Sequence, residues 1–380
     1  MKPRLVALQE MSVTPSRKLF LSLELGNAKW HVGASDGGTQ ICEYTLKAGD
    51  GQGLLAVVER ARTRLQLPKE VAIVSCYEAG RDGFWLHRFL QANGIVNHVV
   101  DAASIEVNRR QRRAKTDRLD VRKLLSMLVR FVGGEKKLWA VLRVPTEAEE
   151  NERRPHRERA RLVAERGQHV TRIKSLLVLH NVRVKRIGGK RWAEQLKALS
   201  LPTRLHEELA RETERLALVD RQIVQLEREQ AKRLTPQAER QDPSLAKQRL
   251  LQQLRGLGQV GPWVLVRELF GWRTFNNRRE LAGSVGLGSS PYRSGSLEHD
   301  QGISKAGNAR VRTLMVELAW SWLRHQPGSA LSKWYLERFG RTGARSRRIG
   351  IVALARRLLI ALWHFVEHGV IPKGAKLKAA

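Results

Sequence analysis

Val71-Ala72-Ile73-Val74-Ser75-Cys76, closed by Tyr77-Glu78-Ala79-Gly80, is the stretch that decides the fold. A short apolar run rich in β-branched residues, stopped by a carboxylate and a glycine, reads as a buried strand. Upstream, residues 53–67 read as a helix. Before them, Lys18 to Glu24 partly alternate apolar and polar side chains, Asp36-Gly37-Gly38 marks a turn, and Gln40 to Leu46 pair back as the second strand of a hairpin. Downstream, residues 84–93 read as a helix and 95–100 as a further strand. Strands alternating with helices predict an α/β unit built on one sheet.

The chain has 380 residues, enough for two or three domains. Its 69 Lys and Arg face 37 Asp and Glu, a formal net charge of +32. A positive potential of that size predicts a polyanionic partner, nucleic acid first, with steeply salt-dependent binding. An anionic membrane surface is the competing partner, but no apolar run is read as approaching the roughly 18 residues of a spanning helix, and no signal peptide is visible. The expectation is a soluble, cytoplasmic, nucleoid-associated protein without a membrane partner. Cys42 and Cys76, the only cysteines, are too few for a disulfide scaffold or a cysteine-based zinc cluster and read as inert core residues.

Five segments follow along the chain. Residues 1–17 read as a leader, and 18–146 as the α/β domain. The domain includes the most basic stretch, Arg109-Arg110-Gln111-Arg112-Arg113-Ala114-Lys115, and a helix over 117–131. In 147–250, Leu205, Leu209, Leu216, Val219, Ile223 and Leu226 recur at heptad-like spacing, which predicts two long helices packed as a hairpin or coiled coil. A solvated spacer and a dimerising or nucleic-acid-gripping arm fit that segment equally. Residues 251–370 read as a compact, mainly α domain, and 371–380 as a basic, unstructured tail.

Carboxylates stand out against this basic background. Glu24 ends the first strand, Glu78 ends the central one, and Asp117 and Asp120 open a helix at i, i+3 spacing, which sets them on one helical face. Phosphodiester chemistry on divalent metal needs carboxylates from several elements converging at one point, because hard cations take oxygen ligands. Each acid alone also reads as a solvated residue, a helix cap or a partner of Arg118 and Arg122. Asp82, Asp101 and Glu106 are the neighbouring acids that could substitute.

In the last domain, Leu254-Arg255-Gly256-Leu257-Gly258-Gln259-Val260-Gly261-Pro262 has the spacing of a helix-hairpin-helix, whose glycines let backbone N–H groups approach phosphate. A plain interhelical turn has the same spacing. Gly286 to Gly295 then leads to Gly302-Ile303-Ser304-Lys305-Ala306-Gly307-Asn308-Ala309-Arg310-Val311-Arg312, a loop of hydroxyls and cations before a basic helix. Lys305, Arg310 and Arg312 suit either transition-state charge or simple phosphate anchoring. Arg341, Arg345, Arg347 and Arg348 read as a backbone-contacting patch. Trp320, Trp322, Trp334 and Trp363 read as core.

Together the segments resemble the IS110/IS1111 family of insertion-sequence transposases, with Ala114-Lys115-Thr116-Asp117-Arg118-Leu119-Asp120 the most telling match. The resemblance implies an RNase H-like (RuvC-like) domain with an acidic Asp, Glu, Asp, Asp tetrad holding Mg²⁺. Carried over, the tetrad falls on Glu24, Glu78, Asp117 and Asp120, with Glu24 departing from the family's Asp. It also implies a C-terminal serine, carried over onto Ser294, that attacks DNA and forms a covalent phosphoserine link, with Ser289, Ser290 and Ser296 as its near neighbours. A structured noncoding guide RNA and a homo-oligomer, dimer or tetramer, are implied as partners beside donor and target DNA. Two other functions fit the same residues: a junction-resolving nuclease using carboxylates alone, and a non-catalytic nucleic-acid-binding protein.

Overall fold

The computed structural model describes residues 17–80, 83–105, 117–294 and 297–378. The leader, Asp82, Glu106 and the basic stretch from Arg109 to Lys115 lie outside the described residues, as do Gly295 and Ser296. The chain divides into two compact units, Met1–Val144 and Pro145–Ala380.

The first unit is a five-stranded mixed sheet with helices on its faces. Its strands are β1 (Lys18–Leu25), β2 (Lys29–Ser35), β3 (Cys42–Lys47), β4 (Ala72–Glu78) and β5 (Val96–Val100), in the spatial order β3-β2-β1-β4-β5. β1, β2 and β3 are antiparallel neighbours, whereas β4 and β5 run parallel to β1. The helices are α1 (Gly51–Arg64), α2 (Trp85–Ala92) and α3 (Asp117–Val132).

The expected two-stranded hairpin is in fact three strands. Asp36-Gly37-Gly38 does turn the chain, but from β2 into β3, and β2 itself was not foreseen. Its sequence, Lys-Trp-His-Val-Gly-Ala-Ser, hides the strand because Trp30, Val32 and Ala34 are the only apolar side chains, and the buried positions on the other face are Gly33 and Ser35.

Alternation sorts the sheet's side chains onto two faces. Leu19, Leu21, Leu23, Trp30, Val32 and Tyr77 pack in one core with Leu54, Val57, Val58 and Ala61 of α1. Phe20, Val74, Cys76 and Val100 pack on the other side with Leu124, Leu125 and Leu128 of α3. Cys42 and Cys76 are buried free thiols, and burial pushes the Cys76 thiol well up, which keeps it protonated.

The second unit opens with α4 (Glu147–Asn151), started by a capping box between Thr146 and Glu149. The helices α5 (Arg154–Val178), α6 (Lys190–Ala198) and α7 (Thr203–Lys232) follow. α5 and α7 pair antiparallel: Arg159 meets Glu227 at 2.6 Å, Arg166 meets Asp220 at 2.8 Å, and Arg172 meets Glu212 at 2.9 Å. Leu162, Val219 and Ile223 fill one part of their seam. Ile173, Leu177, Leu209 and Leu216 fill another together with Trp192 of α6.

The remaining elements are α8 (Pro236–Gln241), α9 (Ser244–Gln252), α10 (Val260–Leu265), a π-helical turn at Val266–Phe270, and α11 (Arg278–Ser284). The hairpin β6 (Ser289–Ser294) and β7 (Leu297–Ile303) precedes α12 (Ala309–His325), α13 (Ala330–Phe339) and α14 (Ala344–His368).

Two expectations for this unit need correction. α14 is long and apolar enough to cross a membrane by length and composition, contrary to the sequence reading. Its Ile351, Leu354, Leu358, Leu362 and Phe365 are buried against α12 and its neighbours, which is the use a core helix makes of such composition. The tail is ordered as far as Lys378: Leu377 bridges to Leu254, and Lys378 N–H donates to the Gln253 carbonyl at 2.7 Å. Backbone pairing, invisible to a charge-based reading, holds it. Of the four tryptophans read as core, Trp322 and Trp363 are buried, whereas Trp320 of α12 is 50% exposed.

Candidate active site

Glu24, Glu78 and Asp101 stand at one end of the sheet of the first unit. The parallel register sets Leu23 opposite Tyr77. Carried one residue further, it sets Glu24 beside Glu78 at the carboxyl-terminal ends of β1 and β4, where open sheets place their sites. Phe20, Ser22 and Glu24 share a face by alternation, as do Val74, Cys76 and Glu78, and this is the face that α3 covers. Glu24 is half-buried and lies opposite His31 of β2. Glu78 is exposed and opposite Val100 of β5.

α3 runs back along that face with its first turn at the acidic end. The Ser22 hydroxyl donates to the Val121 carbonyl at 2.8 Å, and the Cys76 thiol lies 3.8 Å from the Leu124 carbonyl. Further along, Val129 nears Gly37 beside Phe20, at the opposite end of β1. Residues N-terminal to Val121 therefore point the helix start toward Glu24 and Glu78. Asp117 is the first residue of α3 and Asp120 precedes Val121, half-buried. Arg122 pairs with Glu43 of β3 and fixes the helix from its other flank.

The approach depends on Gly33. A methyl group there would stand 2.6 Å from Val121 Cγ1 and 3.0 Å from Ser22 Oγ, so any side chain would lift the start of α3 from the sheet. Asp101 follows β5 at the same sheet end, its N–H donating to the Ala140 carbonyl at 2.9 Å. Among the described residues no three His, Cys, Asp or Glu side chains form a ready metal-binding group. The oxygen donors at this sheet end are Glu24, Glu78 and Asp101, with His31 opposite Glu24.

In the second unit, Ser294 ends β6, opposite Leu297. The base of that hairpin is sewn to its neighbours: Ser304 N–H donates to the Gly288 carbonyl at 2.9 Å, and Asn308 N–H to the Ser284 carbonyl at 2.8 Å. Lys305 is exposed in left-handed backbone (φ 59°). Arg312 spends one amino group on the carbonyls of Val285, at 2.9 Å, and Ala306, at 3.1 Å, a duty internal to the fold. Arg310 is exposed.

Arg345, Arg347 and Arg348 are exposed on the first turn of α14, with no acidic residue beside them and no side-chain cap. Cations at the positive end of a helix are unfavourable alone, and an anion laid there offsets both charges. Leu254 to Pro262 forms a turn between α9 and α10 with Gly256 and Gly258 at positive φ (89° and 67°). Gln326 ties that turn to the tail, donating to the carbonyls of Arg255 at 3.1 Å and Lys376 at 2.8 Å.

Comparison with known proteins decides the family. A protein of Sinorhizobium fredii (strain NBRC 101917 / NGR234) that carries a transposase name, y4rJ, is 41% identical over 378 residues, covering 95% of this chain and 94% of the relative. The chain belongs to the IS116/IS110/IS902 family of transposases. The family's sequence profile matches residues 248–334 of this transposase. A second Sinorhizobium fredii protein with a transposase name, y4qE, is 25% identical over 327 residues, covering 85% of this chain and 76% of the relative. Membership in a transposase family implies DNA as a partner.

The matched span of the transposase holds a cluster that sequence reasoning missed. Glu268, 1% exposed in the π-helical turn, accepts from Arg157 Nε at 2.7 Å and Nη2 at 2.9 Å, and from Asn308 Nδ2 at 3.0 Å. Burial alone would raise the Glu268 carboxyl, but the Arg157 guanidinium overrides it and holds the group below its ordinary range. The same burial pushes His156, 3.3 Å from that carboxylate, down to about 4, so the imidazole is neutral at pH 7. The signal was available: Arg267 and Glu268 interrupt the apolar run from Val264 to Phe270, and charges inside such a run need partners.

Proposed function

We propose that this transposase cleaves and exchanges DNA strands with two devices, a RuvC-like carboxylate site in the first unit and Ser294 in the second. The sheet order β3-β2-β1-β4-β5, with β2 antiparallel and β4 and β5 parallel to β1, supports the RNase H-like reading of the first unit. The antiparallel pairing of α5 and α7 supports reading the segment as a helical hairpin, and assembly of a dimer or tetramer through it is part of the proposal.

What carries the proposal is the parallel register of β1 and β4, paired as far as Leu23 and Tyr77, which continued by one residue brings Glu24 beside Glu78 on the face against which Ser22 seats the start of α3. Glu24, Glu78, Asp117 and Asp120 would hold Mg²⁺. The bound ion supplies Lewis-acid stabilisation of charge on a phosphoryl oxygen. The carboxylates hold their places through the two strand ends and the anchored helix rather than through any flexible loop. Glu24 in place of the family's Asp sets the first ligand about one methylene further from the backbone.

Ser294 would attack a phosphorus of the DNA backbone. The Ser294 Oγ–P bond forms as the bond from phosphorus to a sugar oxygen breaks, and the proton leaving the serine balances the proton gained by that sugar oxygen. Lys305 and Arg310 would stabilise the developing phosphoryl charge. Arg345, Arg347 and Arg348 at the α14 N-terminus, together with Arg109, Arg110, Arg112, Arg113 and Lys115, would take backbone phosphates. A structured noncoding RNA that pairs with donor and target DNA would supply sequence choice, and the net charge of +32 accommodates two polyanions.

The test is a covalent adduct. Purified protein is incubated with element-end DNA and Mg²⁺, denatured, and scored for DNA-linked protein. The adduct forms with wild type and disappears in Ser294→Ala; an undiminished adduct in that variant removes Ser294 as the nucleophile.

A further inference from the structure

The geometry points to Arg157 and Arg310 as a preset clamp for one phosphodiester of the DNA backbone, held in register by the buried Glu268. This deepens the proposed DNA-handling function and rests on it: Arg310, already given phosphoryl charge to stabilise, is joined by Arg157, and Glu268 fixes the two relative to each other.

A buried carboxylate needs one good partner, and Glu268 already has it. Arg157 donates to both of its oxygens, at 2.7 and 2.9 Å, and Asn308 fills a further acceptor position at 3.0 Å. Arg310 is therefore surplus. Its Nε stands 3.6 Å from Glu268 Oε1, inside Coulombic range but beyond hydrogen-bond reach, and among the described residues Arg310 makes no hydrogen bond. Among the described residues its N–H donors have only that Coulombic partner. Arg157 keeps its Nη1 donors as well, and the two side chains are 39% and 42% exposed.

The local charge confirms the surplus. Arg153, Arg157 and Arg310 all face the Glu268 carboxylate, Glu149 and Glu150 act on the first of them, and His156 adds no charge at pH 7 because burial holds it near 4. The part of this positive charge that reaches solvent is carried by the planar donor forks of Arg157 and Arg310, which match the non-bridging oxygens of a phosphodiester. Asn308 ties the arrangement to α12. Its Nδ2 donates to Glu268 while its Oδ1 caps Val311 N–H at 3.2 Å, so Arg310, two residues on, starts from a fixed turn. Glu268 itself sits in a π-helical turn, a rare conformation that recurs at functional sites.

The experiment measures affinity of the full chain for a fluorescent DNA duplex across a series of KCl concentrations. Wild type is compared with Arg310→Gln, with the double variant Arg157→Gln/Glu268→Gln, and with Arg204→Gln on the exposed start of α7 as a control. The double variant replaces the buried ion pair by an amide pair and leaves net charge unchanged, so neither misfolding from an orphaned carboxylate nor a general charge effect enters the reading. The clamp predicts that Arg310→Gln and the double variant each reduce the slope of log affinity against log salt by about one unit, as loss of one phosphate contact does, while Arg204→Gln leaves it unchanged. Wild-type slopes in both site variants overturn the clamp. Absence of salt-dependent DNA binding by wild type overturns the DNA-handling reading itself, a result distinct from the first.

Discussion

The Ser22 hydroxyl donates to the Val121 carbonyl across 2.8 Å, tying the start of α3 to the second strand residue before Glu24. One short polar contact, made possible by a glycine on the neighbouring strand, thus sets how far the helix that begins at Asp117 stands from the carboxylates of β1 and β4.

Gly33→Ala tests the spacing. The added methyl meets Val121 Cγ1 at 2.6 Å, and overpacking of this kind costs about 1–3 kcal/mol. We expect a lowered urea midpoint together with loss of Mg²⁺-dependent strand cleavage. Trimming the obstacle in Gly33→Ala/Val121→Ala should recover part of the activity. A double variant no better than the single one would show that Val121 is not the obstructing group.

Much of the first unit could be read from sequence because its signals are local. The apolar run before Glu78 is bounded by turn residues, and α1, α2 and β5 each carry their own periodicity. β2 escaped because lysine, histidine and glycine occupy its positions toward solvent and toward α3, and the glycine's purpose is a contact with a helix far along the chain. Glu78 and Asp120 were legible as acids in a basic chain; that a register puts Glu78 beside Glu24 is a tertiary fact. At Glu268 the sequence carries the sign of a buried charge, an acid inside an apolar run, but not its chief partner, since Arg157 is 111 residues away. Net charge said that the tail was basic, but not that its backbone would pair with Gln253 and Arg255.

Acid should weaken the second unit through His156. Its folded-state value is depressed from 6.5 to about 4, so below about 6.5 the unfolded chain takes up a proton that the folded chain refuses. The resulting loss grows as pH falls to about 4, reaches about 3 kcal/mol, and then levels off. Glu268, also depressed, adds loss in the same direction at lower pH. Urea midpoints measured from pH 7.5 to 4.5 should fall for wild type and fall less for His156→Phe. An identical decline in the two proteins would assign the acid sensitivity elsewhere.

Gln326 links the turn after α9 to the tail. It is 1% exposed, donates to the carbonyls of Arg255 and Lys376, and accepts from Lys376 N–H at 2.8 Å. Gln326→Ala leaves the Arg255 carbonyl and the Lys376 N–H short of a partner, while the Lys376 carbonyl keeps its bond from Arg255 N–H, at a cost of about 2–3 kcal/mol. Limited proteolysis should then cut within 371–378 faster than in wild type, and an unchanged cutting rate would show that the tail is held without this side chain.

Divalent-ion binding tests the central claim most directly. Mn²⁺, an oxygen-seeking substitute for Mg²⁺ that is visible by electron paramagnetic resonance, is titrated into the full-length protein and into Glu78→Gln and Asp120→Asn. The shared-register site predicts that wild type removes free Mn²⁺ from solution and that each variant weakens this uptake at least tenfold while keeping its fold by circular dichroism. Equal uptake by all three proteins would contradict a metal site at the ends of β1 and β4.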